Sequence, residues 1–147
     1  MPTKSFRGMM GTNQVDTIPL ATRDGSTGYK ITKMQVISSN PVSESDRWVV
    51  KIYSVPQTVA SVDVLVDFSD QTLLAVGVFS SHSSSQTYPE DMTIVFDNMV
   101  FNQDVYITAK AENGTNINYY IEMEQMKLDL NENTVATLKD IRNIASQ

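Results

Sequence analysis

The spacing of apolar residues between positions 28 and 130 constrains the fold of this chain more than any other feature. Short runs of β-branched and aromatic residues alternate there with Ser, Asn, Asp, Gly and Pro, which is typical of strands and turns. In the run RWVVKIYSV, the side chains of Trp48, Val50 and Ile52 fall on one face of an extended strand. Lys51 falls on the opposite, wetter face. This pattern predicts a β-sheet with Trp48 anchoring its core.

Eight such runs are predicted to be strands, and two of their features refine the arrangement. The run from Val62 to Phe68 is apolar at consecutive positions, which indicates a strand covered by protein on both sides. The pair Asn113-Gly114 favours the positive φ angles of a tight hairpin turn. We therefore predict an all-β, single-domain β-sandwich of about eight strands, similar to a jelly roll. The predicted strands are Val15–Leu20, Gly28–Ser38, Arg47–Val55, Val62–Phe68, Thr72–Ser80, Met92–Phe96, Asp104–Ala111 and Ile117–Leu130.

The two ends of the chain lack this pattern. Residues 1–14 have no periodicity and are predicted to be a flexible N-terminal arm, so that the sandwich domain spans residues 15–130. Residues 131–147 are predicted to be a short helical tail. A helix of about three turns is marginal alone in water, so it is expected to dock on its own domain or on a neighbour. The apolar residues of this tail at helical spacing are Val135, Leu138, Ile141 and Ala145.

Composition excludes several classes of function. The net charge of -6 and the pI near 4.6 argue against nucleic acid as the main partner, because phosphate binding requires clustered Lys and Arg. The absence of cysteine rules out disulfides and thiolate metal sites. No apolar run is long enough for a membrane span, and no secretory signal is recognisable at the start. We expect a soluble protein produced in a cytoplasm, with no membrane partner.

Side chains that could support catalysis are few. His82 is the only histidine, and it lies within a run of serines that is predicted to be an exposed loop spanning residues 80–88. Asp67 and Asp70 are interpreted as capping a turn through backbone N–H groups, with a bound Ca²⁺ left open. Glu122 and Glu124 lie on one face of one strand, where they do not form a glycosidase pair. No enzyme activity, cofactor or metal site is predicted.

The long strand that contains those two glutamates has two different faces. Tyr119, Ile121 and Met123 form one face, whose composition suits a core. The opposite face combines the two acidic residues with Tyr120 and Met126. Aromatic and methionine side chains among acidic ones suit either a solvated sheet or an adaptable contact surface.

Several segments resemble small virion structural proteins of tailed bacteriophages, particularly marine phages such as those of cyanobacteria. The segments are TGYKI, WVVKIY, VDFSDQTLLAVGVF, TIVFDNMVFNQDVYITAK, NYYIEMEQMKLDL and TVATLKDIRN, within about residues 28–142. The resemblance implies a virion protein assembled in the host bacterial cytoplasm. It further implies a capsid decoration, or cement, protein that binds the major capsid protein or other virion proteins, often as a homotrimer. The candidate contact residues are Phe6, Met9 and Met10 on the arm and Tyr120 and Met126 on the sheet.

Two alternative functions stay open at the level of sequence. A tail, fibre or knob component that contacts the host would use the loop at residues 80–88 for recognition. A carbohydrate-binding module would present an exposed aromatic platform, for which Tyr29, Tyr53 and Tyr88 are the candidates.

Overall fold

The described part of the chain forms eight β-strands in two antiparallel sheets, so the all-β prediction is confirmed. The computed structural model describes residues 2–21, 25–41, 46–81, 90–96 and 99–128. The small sheet has the strand order β1-β8-β3, and the large sheet has the order β2-β7-β4-β5-β6. The strands are β1 (Thr3–Gly11), β2 (Gln14–Ile18), β3 (Thr27–Ser38), β4 (Arg47–Tyr53), β5 (Leu73–Ser80), β6 (Glu90–Val95), β7 (Val105–Asn113) and β8 (Asn116–Lys127).

The inner faces of the two sheets share one apolar core. On β4 the predicted alternation is confirmed, since Trp48, Val50 and Ile52 are all fully buried. Burying a side chain as large as Trp48 contributes about 5 kcal/mol at most. Across the core, β3 packs so tightly against β5 that a Cβ at Gly77 would lie 3.0 Å from the side chain of Val36. A residue with a Cβ at position 77 would require the side chains of Val36 and Met34 to shift by a few tenths of an ångström.

Two long strands pass from one sheet to the other through a corner. β1 pairs with β8 in the small sheet, and their continuations β2 and β7 pair in the large sheet. The corner lies at Asn13 on one strand and at Gly114 on the other, and both residues have positive φ angles of 62° and 143°. A Cβ at Gly114 would lie 2.5 Å from the Nε1 atom of Trp48, so glycine is required there.

The predicted hairpin at Asn113-Gly114 is therefore wrong. β7 and β8 do not pair with each other, because the connection between them turns the chain out of the large sheet and into the small one. The Asn-Gly signal identifies a change of direction correctly, but a local signal does not specify which strands pair on either side of it.

A β-bulge in β3 changes which side chains face the core. Tyr29 and Ile31 point inward before the bulge, and Met34 and Val36 point inward after it. The extra residue is Thr32, whose hydroxyl donates to the backbone oxygen of Glu122 at 3.2 Å. Without this insertion, the second half of β3 would turn its apolar residues to solvent.

The structure corrects two predicted elements. Residues 3–11 are not a flexible arm but strand β1, which pairs with β8 along its whole length, so the expected boundary at residue 15 does not hold. Residues 62–68 are not a covered strand: a short 3-10 helix at Val59–Ser61 precedes an irregular stretch whose apolar side chains are mostly exposed. The predicted helical tail at residues 131–147 lies outside the described residues.

Candidate protein-binding surface

The outer face of the small sheet presents apolar side chains beside polar ones. Met9 of β1 and Ile37 of β3 flank Asn118 of β8, and their exposed fractions are 57% and 49%. In the next row, Arg7 lies beside Tyr120. Since cross-strand neighbours project from the same face, these side chains form one continuous surface, which we call the open face.

A groove of about 800 Å³ runs along this part of the small sheet. Arg7, Gln35, Ile37 and Tyr120 line it together with Asp91 of β6. The core-facing residues Val36, Phe79 and Tyr119 line it as well. The groove combines aromatic rings and apolar side chains with a cation, a carboxylate and amide groups. This composition is typical of a protein contact surface, in which aromatic, Met and Arg side chains are enriched.

Charged residues continue the open face away from the groove. The Nζ atom of Lys33 lies 3.6 Å from Glu122 and 6.0 Å from the centre of the Tyr120 ring. Lys30 pairs in register with Glu124. The alternating charges keep this end of the open face hydrated. Such charges contribute more to the orientation of a binding partner than to its affinity.

The five candidate contact residues divide between the two faces of the small sheet. Met9, Tyr120 and Met126 lie on the open face, although Met126 is about 20 Å from Tyr120 along the strand. Phe6 and Met10 project toward the core, where Met10 is fully buried and Phe6 is half-buried. Met10 is thus a core residue, because β1 is a strand of the fold and its side chains alternate.

A second exposed apolar surface was not predicted. Val64, Leu65, Val66 and Phe68 follow the 3-10 helix, and their exposed fractions range from 42% to 71%. We call this stretch, residues 64–68, the apolar loop. The sequence signal for it is the apolar run at residues 62–68, which predicts a buried strand instead.

Lys51 holds the apolar loop against the outer face of the large sheet. Its Nζ atom donates to Asp63 Oδ1 at 2.7 Å and to the backbone oxygen of Leu65 at 2.7 Å. Only 3% of the Lys51 side chain is exposed, although the sequence placed it on a wetter face. Val76 and Thr108, its neighbours on β5 and β7, are buried on the same outer face. Around Lys51, the large sheet is therefore covered on both sides.

The carboxylates before β5 cap a turn, as predicted. Asp67 Oδ1 accepts hydrogen bonds from the N–H of Ser69 at 2.9 Å and from its hydroxyl at 2.5 Å. These bonds, the hydroxyl first, lower the pKa of Asp67 below its usual value. Asp70 Oδ1 likewise accepts from the N–H of Thr72 at 2.9 Å. The two side chains fix the conformation of the chain where it leaves the apolar loop.

A buried polar cluster lies where β3 leads toward β4. The hydroxyl of Ser38 donates to a carboxylate oxygen of Asp46, and the N–H of Asp46 donates to the hydroxyl of Ser81 at 3.1 Å. All three side chains are buried. His82, the residue after Ser81, lies outside the described part of the chain, as do residues 83–88 of the loop predicted at residues 80–88.

One inner-face tyrosine has a perturbed environment. The hydroxyl of Tyr119 donates to Asp16 Oδ2 of β2 at 3.4 Å. Burial, the negative charge of Asp16 and this hydrogen bond all raise the pKa of Tyr119 above its ordinary value. Tyr119 thus ties β8 to β2 across the corner, and its hydroxyl stays protonated at neutral pH.

Of the three tyrosines proposed as the platform of a carbohydrate-binding module, one lies in the core. Tyr29 is buried and stacks on Phe101, with 6.4 Å between ring centres. Tyr53 is half-buried beside Lys51, and Tyr88 lies outside the described residues. Tyr29 belongs to the core because β3 turns this side chain inward before its bulge.

Comparisons with known proteins return no match: no family model, curated protein or solved structure is similar to this chain. In the described part of the chain, no group of three or more His, Cys, Asp or Glu residues is arranged to hold a metal ion. None of the helices described there has the length and apolar character needed to cross a bilayer.

Proposed function

We propose that this protein is a non-enzymatic structural component of a bacteriophage virion that binds another virion protein through the open face. The observation that carries the proposal is the exposure of Met9 and Ile37 beside Tyr120 on a regular sheet. Large apolar side chains grouped on a surface mark contact sites more often than they serve the fold itself. The resemblance of the sequence to small phage virion proteins supplies the context.

The proposed fold is a jelly-roll sandwich. Its support is the nested pairing of strands, in which β1 pairs with β8, β2 with β7, and β4 with both β5 and β7. Beyond β6, Phe101 exchanges backbone hydrogen bonds with Tyr29 of β3, at 2.7 Å and 3.0 Å. The segment after β5 thus contacts both sheets, as expected of the sixth strand in two consecutive Greek keys.

The specific role proposed is that of a capsid decoration protein bound to the major capsid protein, as a homotrimer on the outside of the phage head. A lattice repeats each contact many times, so that modest individual contacts hold a subunit tightly. An open face with few apolar side chains and a charged end suits this kind of binding. The net charge of -6 keeps the free subunits apart in solution before they bind.

The test is the occupancy of purified variants on phage particles that lack the protein. Replacing both Met9 and Ile37 by Glu should lower occupancy at least about tenfold, since two desolvated contacts become charges. Met92→Glu is the matched control, because Met92 is 64% exposed but lies on β6 of the large sheet. The control variant should bind like the parent chain.

Unchanged binding of the double variant would refute the open face as the contact surface. Copy number tests the role itself: hundreds of copies per particle support decoration, whereas about a dozen would assign the protein to the tail. Binding of the isolated chain to polysaccharide, with no binding to particles, would instead support a carbohydrate-binding module.

A further inference from the structure

One edge of β1 carries backbone groups that β8 does not use. The N–H of Gln125 in β8 donates to the backbone oxygen of Pro2 at 2.8 Å, and hydrogen-bonded pairs alternate along an antiparallel ladder. The backbone N–H and C=O groups of Ser5, Arg7 and Met9 therefore point away from β8. We call this row of backbone groups the free edge.

The end of β1 is consistent with this pattern. Gly11 is the next residue of the same series, and its N–H donates to the side-chain oxygen Oε1 of Gln14 at 2.8 Å. Within the described residues, β1 is the last strand on its side of the small sheet. The free edge therefore has no neighbouring strand in this part of the chain.

The other sheet edges are shorter or interrupted. On β3, Tyr29 already pairs with Phe101, and the bulge at Thr32 breaks the register. Strand β2 has only five residues, and β6 begins with the two charged residues Glu90 and Asp91. β1 keeps one register with β8 over nine residues. A long, regular edge of this kind is a template for another strand.

We propose that the partner protein adds an extended segment as a strand to the free edge and places an acidic side chain beside Arg7. This inference rests on the function proposed above, and it specifies how a partner on the open face is held. Ser5, Arg7 and Met9 together would exchange about six backbone hydrogen bonds with an added strand. The strand would also cover Phe6, which is half-buried and packs against the core.

The charges of β1 favour an acidic segment over a second copy of this chain. Lys4 and Arg7 are the charged residues of β1, and neither forms an ion pair with another described residue. Glu122, opposite Ser5, is paired with Lys33 on its other side. Two antiparallel β1 strands centred on Arg7 would place like charges opposite each other, which is destabilising. Asp or Glu in that position forms an attractive pair instead.

Proline substitution tests the backbone contact on phage particles that lack the protein. Ser5→Pro removes an N–H that β8 does not use, so the fold should persist while occupancy falls at least about tenfold. Ser5→Ala is the matched control, because it removes the same side chain but keeps the N–H, and it should bind like the parent chain. Thermal denaturation verifies that Ser5→Pro is folded. Equal occupancy of Ser5→Pro and the parent would overturn the proposal.

Charge reversal tests the acidic character of the segment. Arg7→Glu should lower occupancy at least about tenfold, because it places a carboxylate beside the proposed one. Arg47→Glu makes the same change in net charge on β4 of the large sheet and should have little effect. Equal losses in the two variants would overturn the acidic segment, since they would show that only net charge matters.

Hydrogen exchange provides a measurement that needs no variant. In the free chain, the amides of Ser5, Arg7 and Met9 should exchange rapidly, whereas those of Phe6 and Gly8 should be protected by β8. On particles, exchange at the first three amides should slow at least about tenfold. Protection of these amides in the free chain would overturn the proposal, because another part of the chain or a second copy would then occupy the free edge.

The variants also separate this inference from the proposed function. If the Met9→Glu/Ile37→Glu variant loses occupancy while Ser5→Pro keeps it, the open face binds without strand addition. In that case the inference fails and the proposed function stands. If all of these variants bind like the parent chain, both fail.

Discussion

Lys51 and Lys33 each form an ion pair on the outer face of a sheet, but the two faces differ. Lys51 Nζ lies 2.7 Å from Asp63, with 3% of its side chain exposed, beneath the loop that follows β4. Lys33 Nζ lies 3.6 Å from Glu122, with half of its side chain exposed. The covered face of the large sheet thus uses its lysine to hold a loop, whereas the open face leaves its lysine in water.

Lysine has a different role on each of the two faces, because a loop covers Lys51 and solvent surrounds Lys33. An ion pair of a solvent-exposed lysine contributes little to stability. Solvent screens the charges, and fixing the long side chain in one position costs conformational entropy. A buried lysine must satisfy its N–H groups, so it fixes the position of its acceptors. In this protein that requirement positions the apolar loop.

The largest effect should follow from removing the buried lysine. Lys51→Ala should lower the free energy of unfolding by about 3 kcal/mol, since it removes a packed aliphatic side chain and two charge-assisted hydrogen bonds. Lys51→Met, which keeps the aliphatic part, should recover part of this loss. Urea denaturation measures both changes. A loss below about 0.5 kcal/mol for Lys51→Ala would show that the cover does not depend on the ion pair.

Removing one buried hydroxyl group from the covered face should increase the stability of the protein. Thr108 Oγ1 is buried beside Lys51 and has no hydrogen-bond partner in the described part of the chain. Thr108→Val keeps the shape and removes the cost of burying the hydroxyl, so it should raise stability by about 1 kcal/mol. Thr32→Val on the exposed bulge, which loses its bond to Glu122, should not stabilise. Thermal denaturation of the two variants distinguishes them.

Alkaline pH should weaken the tie between the two sheets. The pKa of Tyr119 is raised in the folded state, first by burial, so an unfolded chain releases this proton at a lower pH than the folded one. The stability from this group is complete below its ordinary pKa of 10.0 and is lost as pH rises through the folded value. Urea midpoints above about pH 9 should therefore fall less in Tyr119→Phe than in the parent.

The smallest effect should occur on the open face. Lys33→Ala should change the free energy of unfolding by less than about 0.5 kcal/mol, because the ion pair with Glu122 is exposed. Adding salt should reduce even this difference. A loss as large as that of Lys51→Ala would indicate that the open face is not open in solution, and that the ion pair lies under another part of the protein.

Seven of the eight predicted strands correspond to strands of the structure, within a few residues at their ends. In most of them the alternation or apolar run reflects burial, as Trp48, Val50 and Ile52 illustrate. The eighth prediction, at residues 62–68, failed because an apolar run looks the same whether a sheet or an exposed loop contains it. Strand β1 was missed because its alternation of Lys4, Phe6, Gly8 and Met10 contains only two large apolar residues.

The candidate surface was only partly predictable for the same reason. The sequence places Tyr120 and Met126 on an outward face because Ile121 and Met123 between them are apolar, and β8 does alternate in this way. Met9 and Met10 are adjacent, so a chain treated as an arm offered no means of separating the exposed one from the buried one. Which of the two methionines is buried depends on the pairing of β1 with β8, whose residues are more than a hundred positions away in the sequence.

The sequence by itself determined that the chain is all-β and which side chains of most strands face inward, because period-two alternation is a property of each strand alone. Only the tertiary structure decided how those strands are shared between two sheets and where the outer surfaces are covered. The corner at Gly114 and the burial of Lys51 both depend on contacts between distant segments. Local spacing carries no information about such partners, since many arrangements of the same strands would bury the same residues.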